Sequence, residues 1–155
     1  MTIPIERLQD QSILFWLKGV VPNTVTVVDA FPTSLTSADP QLVLPTVSID
    51  AARLQKNPFE LGNYRGREDR FWSIDIFASN KTQRDDLAYL ISNELEKNVP
   101  VFDYNQGFPP SYSPVQLGAL DVANIEIQPI YVFRDLVQTL YWRSKVTFTS
   151  VYRSF

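Results

Sequence analysis

Phe71-Trp72-Ser73-Ile74-Asp75-Ile76-Phe77-Ala78, followed by Ser79-Asn80-Lys81-Thr82-Gln83-Arg84-Asp85-Asp86-Leu87-Ala88-Tyr89-Leu90, is the stretch on which the reading of the chain turns. Trp72, Ile74, Ile76 and Ala78 fall on one side of an extended chain, and Phe71, Ser73, Asp75 and Phe77 on the other. This period of two predicts a strand with one face fully buried and one face mixed. After a turn at Ser79-Asn80-Lys81 the period changes. Leu87, Leu90, Ile91 and Leu95 recur at helical spacing, and Asn98-Val99-Pro100 stops the helix. Thr82 stands three residues before Asp85 and is the expected cap, with Asp85 and Asp86 placed to favour the positive end of the helix dipole. The unit forms core and carries no evident chemistry.

Around it, composition narrows the field. With 155 residues, 45% apolar and 20% charged, the chain is expected to form one folded domain spanning 1–155. Aromatic residues make up 13%, enough that some are expected to face a partner as well as the core. A net charge of −3 and a pI near 4.9 argue against a broadly basic nucleic-acid surface. Cysteine and histidine are absent, which removes disulfides, thiol nucleophiles, thiolate and imidazole metal sites, and the usual general base near neutral pH. Carboxylate catalysis or an oxygen-ligand metal site stays open on these grounds. Met1-Thr2-Ile3-Pro4-Ile5-Glu6 lacks the basic start and apolar core of a signal peptide, and no run approaches membrane-spanning length. A soluble protein without an export route of its own is expected.

In chain order, Pro4 to Lys18 predicts a first helix, with Ile5, Leu8, Ser12, Phe15 and Trp16 near one face, Ile13 and Leu17 alongside, and Gly19 ending it. Thr24 to Ala30 and Pro45 to Ala52 predict strands, separated by a Pro/Ser/Thr/Asp loop from Phe31 to Pro40. Arg53 to Asp69 reads as a long irregular segment carrying Pro58, Gly62 and Gly66 with Phe59, Leu61 and Tyr64. Beyond the central helix, Val99 to Tyr104 predicts a short strand and Asn105 to Pro114 an aromatic, proline-rich loop. Leu120 to Ile130 alternates as a strand, where Pro129 marks an edge or an end. Asp135 to Tyr141 predicts one or two helical turns, and Ser144 to Arg153 a final strand. The fold class is therefore α+β: a mainly antiparallel sheet, an N-terminal and a central helix packed against it, and long interaction loops.

Each candidate for chemistry has a simpler structural explanation. Asp85-Asp86 suits the helix dipole better than a cation. Asp75, a lone carboxylate in mid-strand, suits an interface or solvent better than general-base work. Gly62 to Arg67 neither follows a strand nor opens a helix as phosphate loops do. Tyr64, Arg65, Arg67 and Arg70 have the content of a nucleic-acid contact, but Glu60, Glu68 and Asp69 largely cancel their charge, which favours an ion-pair surface between subunits. Phe108, Tyr112 and Trp142 suit core or interface packing better than a ligand cage. No catalytic residue, metal ligand or cofactor is assigned.

The succession of elements then supplies a resemblance. An N-terminal helix is followed by Leu44-Pro45-Thr46-Val47-Ser48-Ile49, by Asn57-Pro58-Phe59-Glu60-Leu61-Gly62, by the central strand and helix, and by Tyr141-Trp142-Arg143 with a Thr/Val-rich strand. Across most of its length this layout resembles the small neck and tail proteins of tailed bacteriophages, especially the tail terminator (tail completion) family. The resemblance implies a non-enzymatic virion protein made in the host cytoplasm. It implies a homohexameric ring that joins the tail tube to the head connector, with DNA passing through unbound and no membrane involved. A head–tail adaptor or another tail or baseplate component is the alternative. A ring needs two different complementary patches. Phe59, Tyr64, Arg65, Arg67 and Arg70, with Phe108 and Tyr112 on the second loop, are the expected subunit-interface residues. Glu94 and Glu96, or Asp121 and Glu126, are the expected acidic complement. Both loops are expected to gain order from neighbouring subunits.

Overall fold

In the computed structural model, which describes residues 2–29, 43–57, 67–130 and 142–155, two helices lie on one face of a six-stranded sheet. The elements are α1 (Ile5–Val20), β1 (Thr26–Val28), β2 (Thr46–Asn57), β3 (Arg67–Ala78), α2 (Lys81–Leu95), β4 (Val99–Phe102), β5 (Gln116–Ile130) and β6 (Trp142–Ser154). The sheet order is β1-β2-β3-β6-β5-β4, antiparallel throughout except for the parallel pair β1–β2. The chain is thus α+β with a mainly antiparallel sheet, as its pattern predicts. Expected features at Ala30, Phe31 to Pro40, Phe59, Tyr64, Arg65 and Asp135 to Tyr141 lie outside the described residues.

The central strand behaves as its alternation dictates. Trp72, Ile74, Ile76 and Ala78 are all buried beneath the helices, together with Val47 and Ile49 of β2 and Val146 and Phe148 of β6. Trp72 stacks on Phe148 at 6.3 Å between ring centroids, and its indole N–H donates to Ser150 Oγ at 2.8 Å, so the large ring is buried without stranding its donor. From α1 come Leu8, Ile13 and Leu17, and from α2 Leu87, Ala88, Ile91 and Leu95. The spacing of these residues places one stripe of each helix on the sheet.

Several boundaries differ from the sequence reading. The α1 helix runs through Gly19 to Val20 and stops before Pro22, since nothing at Gly19 demands a backbone only glycine allows. Its buried stripe is Leu8, Gln9, Ser12, Ile13 and Leu17, while Phe15 is 43% exposed on the flank. The cap of α2 is Asn80, not Thr82. Asn80 is extended and its Oδ1 accepts from Gln83 N at 2.8 Å, while Gln83 Oε1 accepts from Ser79 N at 3.0 Å. This is the reciprocal logic of a capping box moved two residues upstream. Leu90 is only half-buried; the inner stripe takes Arg84 and Ala88 as well. Asn98, at a φ of 64°, closes the helix, and its Oδ1 accepts from Val122 N at 2.9 Å, tying the helix end to β5.

The largest correction concerns Arg53 to Asp69. Much of that expected loop is strand: β2 continues to Asn57 and β3 begins at Arg67, with Leu54 opposite Arg70, Lys56 opposite Glu68 and Asn57 opposite Arg67. Residues 51–56 are exposed, so no buried face imposes an apolar alternation there. Cross-strand pairs stabilise the arm instead. Arg53 lies over the Phe71 ring at 4.1 Å, and Lys56 Nζ stands 3.3 Å from Glu68 Oε1. A bulge at Ala52 separates the buried and exposed halves of β2. At the other side of the sheet, β5 starts at Gln116, earlier than Leu120. Gly118 is required there: a Cβ would sit 2.2 Å from the Arg153 carbonyl oxygen. Pro129 stands one residue before the end of β5, opposite Ser144 and beyond the part flanked by β4. No described helix is long and apolar enough to cross a membrane.

Candidate functional site

Arg70, expected as an exposed interface cation, is 6% exposed and bound within the chain. Its position on β3 places the side chain under α1. Nη1 donates to the Glu6 carbonyl oxygen at 2.9 Å and to Gln9 Oε1 at 3.3 Å, and Nη2 stands 2.8 Å from Asp10 Oδ1. The guanidinium also lies over the Trp72 ring at 4.4 Å. Arg70 is therefore a clamp between helix and sheet. Its signal was present in the sequence, since Glu6, Gln9 and Asp10 form a polar stripe at helical spacing beside the apolar one. Nothing in the local pattern ties that stripe to an arginine some sixty residues away.

On the sheet face away from the helices, strand pairing brings Asp75 beside Ser48 and Lys145, and Ser73 beside Asp50 and Thr147. Asp50, Ala52, Ser73, Asp75, Ile130, Arg143 and Lys145 line an open hollow of about 480 Å³. Asp75, expected at an interface or in solvent, is 7% exposed. Burial pushes its carboxyl above the ordinary aspartate range, and the Lys145 and Arg143 cations and the Ser73 hydroxyl act in the opposite sense. Arg143 Nη2 lies 4.0 Å from Asp75 Oδ1 and its guanidinium lies 5.0 Å over the Phe77 ring. The hollow can hold a polar side chain or a small ion pair.

The second loop packs against its own chain. Phe108 meets Tyr104 edge-on at 5.0 Å and Phe15 at 6.2 Å, and Tyr104 is fully buried. The Tyr112 hydroxyl donates to the carbonyls of Gly107 at 3.2 Å and Asp103 at 3.3 Å, and Asn105 Oδ1 accepts from Ile3 N at 2.8 Å. Phe108 packs the loop onto Phe15 of α1, and Tyr112 ties the loop to itself; both side chains are half-buried. Among the acidic candidates, Glu94 pairs with Lys97 at 3.0 Å and Asp121 with Arg153 at 3.3 Å. Glu96 caps the C-terminus of α2 and is exposed, as is Glu126 on β5. Arg67 stands opposite Asn57 at the end of the β2–β3 arm.

Of the expected interface residues, Phe59, Tyr64 and Arg65 lie outside the described residues, and Arg70 is bound beneath α1. The exposed arm residues Arg53, Leu54 and Lys56 were missed, because a strand exposed on both faces has no alternation to detect. Among the described residues no group of three or more acidic side chains is placed to hold a metal ion. No protein-family model and no curated protein matches the chain.

Proposed function

We propose that this chain is a structural virion protein of a tailed bacteriophage, a tail terminator or neck ring joining the tail tube to the head connector. The observation that carries the reading is the architecture that the layout resemblance implies: a mainly antiparallel sheet with an N-terminal and a central helix on one face. The site chemistry supports it. Among the described residues Arg70 is committed to a clamp between helix and sheet, and the buried Asp75 carboxylate stands beside the Arg143 and Lys145 cations as part of a structural ion pair network. A net charge of −3 suits a ring through which DNA moves without being gripped.

In this reading the chain assembles as a homohexamer, contacts the tube and connector proteins at its two ends, and performs no catalysis. The test is imaging of assembled particles with the chain labelled, together with the mass of the purified protein in solution. A sixfold ring at the head-proximal end of the tail is the expected result. A monomer at every concentration, or density away from the tail, refutes the reading.

A further inference from the structure

We propose that neighbouring copies join by their sheet edges, β2 of one copy pairing antiparallel with β5 of the next. The inference rests on the proposed ring and names the surface that builds it.

Among the described residues both outer edges of the sheet are only partly covered. The short β1 flanks Thr46 to Ser48, leaving β2 open from Ile49 to Asn57. On the other side β4 flanks β5 only as far as Leu120, and Asn98 takes the next outward N–H, that of Val122. From Glu126 to Ile130, β5 is paired on its β6 side alone among the described residues. The hydrogen bonds fix which main-chain groups point outward. Phe155 N donates to Leu117 O, and Val122 N points away from β6. Past the irregularity between Ala123 and Glu126, strand alternation turns Ile127 outward, and Ile125 borders that irregularity. On β2, Thr26 N donates to Pro45 O, and past the bulge at Ala52 the outward residues are Leu54 and Lys56. Such rows of unpaired donors and acceptors are templates for another strand.

The two edges fit one another. Along the sheet β2 and β5 run in opposite directions, so copies placed side by side with their helices on the same face pair antiparallel. The covered portions lie at opposite ends of the sheet, so a staggered register lets each open length meet the other. Leu54 then faces Ile127, Lys56 faces Ile125 and Arg53 faces Gln128. In this register the 40% exposed Leu54 gains an apolar neighbour, and Arg53 lies diagonal to the exposed Glu126. Because the two edges differ, the contact is heterologous and can close a ring.

The chain contains no cysteine, so a disulfide introduced between copies reports the register directly. The pair Arg53→Cys and Gln128→Cys sits at a position where Cα atoms come to about 4.5 Å, within disulfide range. Oxidation of the double variant should give a ladder of covalent multimers, and either single variant at most dimers. Leu54→Pro, which removes an outward N–H at an exposed edge position, should weaken assembly at least about tenfold while the subunit keeps its melting temperature. Assembled rings that give no ladder overturn the edge pairing and leave the ring reading standing. Failure of the unaltered chain to assemble at any concentration overturns both.

Discussion

Replacing Arg70 with alanine separates the two roles that sequence and structure give this residue. An interface cation contributes little to subunit stability, and its loss should cost under about 0.5 kcal/mol, as for most exposed positions. The clamp seen here is different. Gln9 is fully buried, and an acceptor left without its donor costs about 1–3 kcal/mol. The guanidinium over Trp72, shielded from water, adds about 1–2 kcal/mol. Asp10 contributes less than a fully buried partner would, because its side chain is 49% exposed and water can replace the guanidinium; about 1 kcal/mol or less is appropriate. Arg70→Ala should therefore destabilise the monomer by about 3–5 kcal/mol, consistent with breaking a largely buried ionic network. Arg70→Lys, which keeps charge but loses the fork that spans Glu6, Gln9 and Asp10, should fall between. Urea unfolding followed by tryptophan fluorescence gives the values, with an unchanged slope showing that only stability has moved. A loss below about 1 kcal/mol for the alanine variant would refute the clamp.

Three further outcomes follow from the same geometry. Asp75 has its carboxyl raised by burial, so the folded chain holds that proton more tightly than the unfolded chain. Its contribution to stability should therefore fall as pH rises from the ordinary aspartate range through the raised folded value. Relative to Asp75→Asn, the parent should lose stability as pH rises above the ordinary aspartate range, and a flat or opposite difference in unfolding free energy counts against the burial argument. Asn80→Ala should cost about 1 kcal/mol and Thr82→Ala almost nothing, since Asn80 caps α2; equal costs in thermal melts would contradict the cap assignment. Gly118→Ala should cost about 1–3 kcal/mol or more, because its Cβ meets the fixed carbonyl of Arg153 and strands β5 and β6 must separate to admit it; an unshifted melt would contradict that approach.

How much was legible depended on whether a face is buried. The alternation of Phe71 to Ala78 and the helical spacing of Leu87, Ile91 and Leu95 survive in the structure because each belongs to a surface removed from water. The same logic found β6 and the strongly alternating part of β5. It failed on the β2–β3 arm, where Arg53, Leu54 and Lys56 are exposed and stabilisation comes from pairs across the strands. Arg, Gln and Lys carry no strand signal by themselves, and the cross-strand partner of each cannot be known before the register is. Arg70 failed for the opposite reason. Its neighbours in sequence are charged, so it read as surface, while its partners Glu6, Gln9 and Asp10 lie some sixty residues away on α1. The cap moved from Thr82 to Asn80 because both residue types suit the position and only the backbone decides between them.

These corrections also bear on what a contact between copies in the proposed ring would be made of. Arg70, Phe108, Tyr112 and Glu94 already have partners within the chain, and breaking those to contact a neighbour would forfeit the stability they supply. Glu96 and Glu126 stay exposed, but isolated surface charges give only about 1 kcal/mol or less per pair and are screened by salt. A contact that closes a ring needs more than that at each junction. In the proposed edge pairing, the outward main-chain groups of Leu54 and Lys56 on β2 and of Ile127 on β5 would supply it, because each paired strand forms several hydrogen bonds at once and excludes water between them. Recognition of this kind asks only for an extended chain of the right length and direction, with side chains that do not clash. It leaves little trace in residue pattern, so in the proposed ring the joining surface would be one that charged residues do not mark.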